Sequence, residues 1–376
     1  MRIDAISIRE IHLRLKTAFE ASFGKLHERR IVLVEVKSNG ATGWGEVTAL
    51  EGPFYNSETT DTAWIVLRDF LVPLVLGQEP QSATDVPDFS SSLRGHEMAK
   101  AALENAIWDL EAQEKSMPLA KLLGGARTEI PCGVSLGIRQ NVDDLVSTVE
   151  QELAAGYQRI KVKIKPGNDL EPVSELRKHF PAVKLMVDAN SAYSPKDAEH
   201  LRHFDDYDLM MIEQPLEWDD FFRHAELQAK LKTPICLDES IHNLHQTEAA
   251  IRLKACRVLN IKLGRVGGHT QAREIQDYCR KNEIPVWSGG MLESGIGRAH
   301  NIAMSTLAGF VLPGDVSASQ RYWDADIIEP EVEVTSRGTI KVPDSPGIGY
   351  RVLQQRIDKL TVRQETYHAT STVSVA

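Results

Sequence analysis

Along the first 60 residues apolar and polar positions alternate with the two-residue period of strands. Ile6 and Ile8 alternate with Ser7 and Arg9, and Ile31-Val32-Leu33-Val34-Glu35-Val36 runs into the turn Ser38-Asn39-Gly40, which reads as a hairpin meander. Over 61–76 and 96–115 the spacing becomes helical, with Ala99, Leu103, Ala106, Ile107 and Leu110 on one face. Beyond Leu122-Leu123-Gly124-Gly125 short β-rich apolar runs alternate with amphipathic stretches of about ten to fifteen residues, the signature of parallel βα units. The expected strands are Ile130 to Gly137, Arg159 to Ile164, Val183 to Asp188, Leu209 to Glu213, Ile235 to Asp238, Val258 to Lys262, Ile284 to Ser288 and Phe310 to Asp315. Such a series fits a closed barrel better than an array or solenoid. In the tail, Glu331 to Val334 and Thr339 to Val342 read as strands that return to the N-terminal unit, and Thr366 to Ala376 as a frayed end.

Charged residues close five successive strands: Lys163, Asp188, Glu213, Asp238 and Lys262, separated by 25, 25, 25 and 24 positions. In a (β/α) barrel the C-terminal strand ends converge on one axis, so this period makes distant residues neighbours. Strand alternation turns Ile160, Val162 and Ile164 outward and Lys161 and Lys163 inward; it likewise sets Asn260 and Lys262 opposite Leu259, Ile261 and Leu263.

Taken alone, the Lys161/Lys163 alternation reads as a solvated face of a surface strand. Burying lysines costs several kcal/mol unless they are paired, so two of them in a barrel mouth need acidic partners or a function. Asp188, Glu213 and Asp238, taken singly, read as acids that cap the following helices. Three converging without a cation would repel one another and raise one another's pKa. A hard divalent ion resolves this: Mg²⁺ accepts carboxylate oxygens and keeps positions open for a substrate carboxylate, and Mn²⁺ or another divalent ion suits the same donors. A carboxylate substrate so held has an acidified α-proton, because the metal stabilises the enediolate that forms. A lysine of ordinary pKa, about 10.4, is a poor base at neutral pH, but a nearby cation lowers it towards about 7 to 8. Lys163, with Lys161 two residues away, is the candidate base, and Lys262, approximately across the ring, addresses the opposite face of the same carbon.

At 376 residues the chain has room for two or three domains, or a barrel and an accessory unit. With 42% hydrophobic and 26% charged residues it can bury a core, which excludes the compositional signature of disorder. Lys+Arg 43 against Asp+Glu 53 leaves −10, which argues against nucleic acid and anionic membranes as partners. MRIDAISIRE holds no apolar signal core, and the longest weakly charged run, from Arg298 to Asp315, is broken by His300, Asn301, Gly309 and Pro313. Cys132, Cys236, Cys256 and Cys279 form no CxxC pair and suit reduced thiols, so a cytoplasmic protein is expected.

Gly133-Val134-Ser135-Leu136-Gly137 spells GxSxG, but Ile138 to Asn141 separate it from the next amphipathic stretch, unlike a hydrolase elbow. Ser135 is better read as a hydrogen-bond partner of the substrate. The Gly289-Gly290 loop has no adjacent basic residue for a phosphate, so backbone contact with a carboxylate is preferred. His96, His269 and His300 lack ligand spacing, and His242 and His245 read as loop or surface residues.

Five segments, in order and spacing, resemble the muconate-lactonizing subgroup of the enolase superfamily: Lys161-Val162-Lys163, Val187-Asp188-Ala189-Asn190, Ile212-Glu213-Gln214-Pro215, Leu237-Asp238-Glu239-Ser240 and Asn260-Ile261-Lys262. Gly289 to Gly297 and Asp315 to Ser319 are similar to the o-succinylbenzoate synthases and N-succinylamino acid racemases within it. The resemblance implies a (β/α)₇β TIM-like barrel over 126–324, beneath an N-terminal α+β capping domain over 1–125 that residues 325–376 complete. It implies Lys163 as base, Lys262 as the opposing group, and Asp188, Glu213 and Asp238 as metal ligands. Around them it implies Ser135, Lys161, Asn190, Glu239, Gly290, Met291 and Leu292, with Phe19, Phe23 and Tyr55 on capping loops. Arg265, three positions after Lys262, occupies a place where family racemases often carry arginine. The expected activity is dehydration to o-succinylbenzoate, racemisation of an N-succinylamino acid, or both, on a small carboxylate substrate, by a self-associating protein.

Overall fold

The computed structural model describes residues 1–21, 24–139 and 141–369. Three strands open the chain: β1 (Ala5–Ala21), β2 (Gly24–Ser38) and β3 (Ala41–Val47), all antiparallel, with Ile6 opposite Val36 and Val34 opposite Gly45. Ile31 to Val36 are buried on both faces of β2. The helix Glu97–Glu114 crosses β3 so closely that a Cβ on Gly43 would stand 2.0 Å from the Ala106 carbonyl oxygen, and one on Gly45 1.9 Å from that of Ala102. Glycine at both positions permits that approach. The strand Thr361–His368 lies on the other side of β1 and completes the sheet. Thr366, Tyr367 and His368 are therefore not frayed: they pair with Ser7, Ile6 and Ala5, because β1 offers an otherwise open edge. Residues 370–376 lie outside the described residues.

The stretch expected as one strand from Ile130 to Gly137 is divided. β4 (Glu129–Pro131) pairs antiparallel with Thr339–Lys341, and after Cys132, whose N–H goes to Gly338 O at 2.8 Å, β5 (Gly133–Leu136) enters a parallel sheet. That sheet continues in chain order through β6 (Arg159–Lys163), β7 (Lys184–Asp188), β8 (Ile212–Glu213), β9 (Ile235–Leu237), β10 (Val258–Ile261) and β11 (Val286–Ser288).

The eighth expected strand does not form as such. Pro313 has no N–H for a ladder, so residues 310–315 close the ring through single bridges, Phe310 to Val286 and Gly314 to Cys132, and through the Asp315 N–H to Ser288 O at 2.8 Å. Nor is Glu331 to Val334 a strand, since the Val332 N–H is taken by Ser319 Oγ at 3.1 Å.

Inside the ring the two-residue period holds. Met186, Met211, Cys236, Val258 and Trp287 form an apolar floor, and two positions farther along four of these strands stand Asp188, Glu213, Asp238 and Asn260. Ile160, Val162, Ile164, Leu259, Ile261 and Leu263 point the other way, into the main core. Among the described residues no helix is long and apolar enough to cross a membrane.

Candidate active site

Strand register assembles the charges. Ser135 stands beside Lys161, Lys163 beside Asp188, and Asp188 beside Glu213 across β5 to β8, while Asp238 and Lys262 are the first residues past β9 and β10. The three acids cap none of the helices that follow; those N-caps are Ser194, Asp220 and Asn243. Their oxygens turn inward instead, onto cations.

Lys163 Nζ donates to Asp188 Oδ2 and Asn190 Oδ1, each at 2.6 Å. Lys161 Nζ lies 3.0 Å from Glu213 Oε2, 3.2 Å from Asp188 Oδ2 and 2.6 Å from Asp315 Oδ2. Lys262 Nζ donates to Tyr55 Oη at 3.0 Å and pairs with Asp238 Oδ2 at 2.9 Å. Arg265 pairs with the other Asp238 oxygen and donates to Tyr55 Oη at 2.9 Å. Asn190 Nδ2 donates to Glu239 Oε1 and Asn260 Nδ2 to Glu213 Oε1, both at 2.7 Å.

Burial acts to raise the Asp238 carboxyl, but Arg265 and Lys262 outweigh it and hold the group well below the usual carboxylate range. Burial likewise opposes the Lys262 ammonium, and Asp238 overrides it, so its pKa rises. Glu213 is pushed up to about 8 by burial and by the charge of Asp188. Glu239 also rises to about 8, from burial and Asp238, and its Oε2 is buried without a hydrogen-bond partner.

The donor set suits a hard divalent cation: three buried carboxylates on neighbouring strand ends, one carrying the mutual repulsion that a cation relieves. With their oxygens on the lysines and Arg265, no three acidic, His or Cys side chains among the described residues are gathered around one metal position.

Above this layer lies a cleft lined by Ser135, Lys161, Lys163, Asn190, Lys262, Gly290, Met291 and Leu292, with Tyr55 from a capping loop and Phe19 not from the expected loop but from the end of β1, where it pairs with Leu26 of β2. Phe23 lies outside the described residues. Asp188, Glu213, Asp238, Glu239 and Arg265 sit behind the lining. Ser135 lies within β5, six residues before the N-cap Asn141 of the next helix, which removes the hydrolase-elbow reading. Its Oγ is buried without a hydrogen-bond partner. His269 and His300 share a 2.9 Å hydrogen bond in the core.

Sequence reasoning missed Arg159, Arg298, Asn301 and Tyr322, and met Asp315 and Glu293 only within the segments that carry the resemblance. Asp315 ends the eighth expected strand, and the strand-end pattern extended by one unit finds it. Arg159 shares the inward face of Lys161 and Lys163 and pairs with Asp315 at 2.7 Å. Arg298, buried on the helix Gly295–Met304, carries no periodic signal.

Residues 4–124 match the mandelate racemase / muconate lactonizing enzyme N-terminal domain, and residues 144–356 match the enolase C-terminal domain-like family. An o-succinylbenzoate synthase of Geobacillus kaustophilus is 48% identical over 373 residues, covering 99% of both chains. An N-succinylamino acid racemase of an Amycolatopsis species is 43% identical over 362 residues, covering 96% of this chain and 98% of the other. A crystal structure of an enolase-superfamily member from Listeria innocua Clip11262 superposes with a TM-score of 0.95 at 41% identity, covering 98% of this chain and 100% of that one. With both of its domains matched and its full length aligned to these enzymes, the chain belongs to the o-succinylbenzoate synthase / N-succinylamino acid racemase family of the enolase superfamily, muconate-lactonizing subgroup.

Proposed function

We propose that this chain is an o-succinylbenzoate synthase that dehydrates 2-succinyl-6-hydroxy-2,4-cyclohexadiene-1-carboxylate through an enediolate, and that the same site racemises N-succinylamino acids. One observation carries the reading: Lys163 and Lys262 reach one cleft from β6 and β10, four steps apart in a ring of seven strands and one closing segment. Residues 1–125 with the strand Thr361–His368 act as the cap, and 126–324, which Thr339–Lys341 joins through β4, as the catalytic barrel.

Enolase-superfamily enzymes generally use a divalent metal. We assign Mg²⁺ here, with Mn²⁺ able to substitute, and Asp188, Glu213 and Asp238 as the residues that hold it. When bound, the ion supplies positive charge that stabilises an enediolate.

Lys163 Nζ, oriented by Asp188 and Asn190, takes the α-proton. The electron pair of the broken C–H bond delocalises onto the substrate carboxylate as the enediolate; its return forms the new C=C bond and expels the β-hydroxyl, to which Lys163 returns the proton, so that water leaves. Lys262 stays protonated and faces the developing negative charge. In racemisation Lys163 and Lys262 take and give the proton on opposite faces of the carbon. Ser135 Oγ and the backbone of Gly290 to Leu292 contact the substrate's polar groups. The second reading, a dedicated N-acylamino acid racemase, draws on Arg265 behind Lys262 and on the Amycolatopsis relative.

The test is ¹H NMR in D₂O with Mg²⁺, offering the cyclohexadiene precursor and, separately, N-succinyl-phenylalanine. Product from the first and α-deuteration with racemisation of the second are expected, both lost with a chelator. Exchange of the second without product from the first would establish the dedicated racemase, and activity on neither would overturn the assignment.

A further inference from the structure

Both lysines pair with a strand-end carboxylate of the barrel, and Lys262 is held by the cap as well. The partners of Lys163 Nζ are Asp188 Oδ2 and Asn190 Oδ1, on β7 and the loop that follows it. Lys262 Nζ pairs with Asp238 Oδ2 at 2.9 Å and also meets a residue of the cap: it donates to Tyr55 Oη at 3.0 Å and lies 4.3 Å from the centre of the Tyr55 ring. The same hydroxyl accepts from Arg265 Nη1 at 2.9 Å and donates towards Asp238 Oδ2 at 3.3 Å.

Tyr55 belongs to a loop with anchored feet. Leu50 bridges Thr59, the Thr60 N–H donates to Leu50 O at 2.9 Å, and the Glu58 carboxylate accepts the N–H groups of Met98 and Ala99 at the start of Glu97–Glu114. Between the feet the chain turns Phe54 outward, 72% exposed, and Tyr55 inward, 9% exposed. Beside the Asp238 carboxylate, the ring and hydroxyl thus further confine an ammonium carried on a flexible four-carbon stem, by a hydrogen bond and a desolvated cation–π contact together.

We propose that Tyr55 is a positioning residue that sets reaction specificity: it holds Lys262 Nζ on its face of the substrate carbon, so that two-faced proton exchange depends on the seating of the capping loop far more than proton transfer by Lys163 does. The inference rests on the reading of Lys163 and Lys262 as opposed proton carriers. Dehydration, whose proton transfers use Lys163, and racemisation, which uses both lysines, then respond unequally to the same loop.

The experiment follows α-proton exchange of each enantiomer of N-succinyl-phenylalanine separately in D₂O with Mg²⁺. Lys262→Ala first identifies the enantiomer deprotonated from the Lys262 side. Tyr55→Phe, which keeps the ring and loses the hydroxyl, is expected to shift the ratio of the two exchange rates by about tenfold against that enantiomer, in kcat rather than KM. Tyr55→Leu, which removes the ring as well, is expected to widen the shift. Equal slowing of both enantiomers, or an unchanged ratio, would overturn the proposal alone. Wild-type protein that exchanges neither enantiomer would overturn the two-lysine reading and this proposal with it.

Discussion

Lys161 takes no part in the proposed proton transfers, yet its ammonium meets Asp315, Glu213 and Asp188 and lies 4.9 Å from the centre of the Trp287 ring. Burial disfavours its charge, and those three carboxylates outweigh burial, so its pKa stands well above the ordinary value. Removing one member of a buried ion network leaves the others uncompensated, at a cost of about 3–5 kcal/mol. Lys161→Met is therefore expected to lose stability of that order in urea denaturation with a chelator present. A loss below about 1 kcal/mol would show that the network is not what Lys161 maintains. The inward face of Lys161 is legible in the sequence because strand alternation is local. Its pairing with Asp315, 154 residues away, needs the ring to close, which no local pattern encodes.

At the scale of elements, carboxylates of the cap hold the starts of barrel helices. Glu46 of β3 accepts from Ser294 N, Ser294 Oγ and Gly297 N, at the start of Gly295–Met304. Glu104 accepts from His269 N, Thr270 N and Thr270 Oγ at the start of His269–Lys281, and from Trp108 Nε1. Negative charge there complements the helix dipole, yet burial pushes the Glu104 carboxyl from an ordinary value of 4.5 up to about 7. A raised carboxyl contributes its stability fully below the unfolded-state value and loses it as pH rises through the folded one, because the unfolded chain releases its proton first. Glu104→Gln removes that titration. The variant is expected to be less stable than wild type at pH 5, with the gap narrowing by pH 7.5 in urea denaturation; a constant gap would contradict the assignment. Local caps such as Asn141 and Asn243 sit next to the helices they serve and can be read from sequence. Glu46 and Glu104 lie 248 and 165 residues from theirs, and only the docked cap reveals them.

For the whole molecule, the seven parallel strands are readable because each βα unit repeats the same pattern, whereas the closing segment and the tail are not. Thr339–Lys341 pairs with β4 of the barrel and Thr361–His368 with β1 of the cap, and short polar strands announce neither partner. Deleting residues 361–376 is expected to expose the β1 edge, lower the melting temperature and promote association, read by thermal unfolding and size-exclusion chromatography. Unchanged melting and elution would show the last strand to be dispensable. The pairing of Ala5 with His368 also orders events during synthesis. β1 to β3 leave the ribosome early, but their sheet waits for its last partner until nearly the whole barrel has been translated, on the order of tens of seconds later. During that interval the nascent cap carries an unpaired strand that a chaperone, or a neighbouring chain, can occupy first.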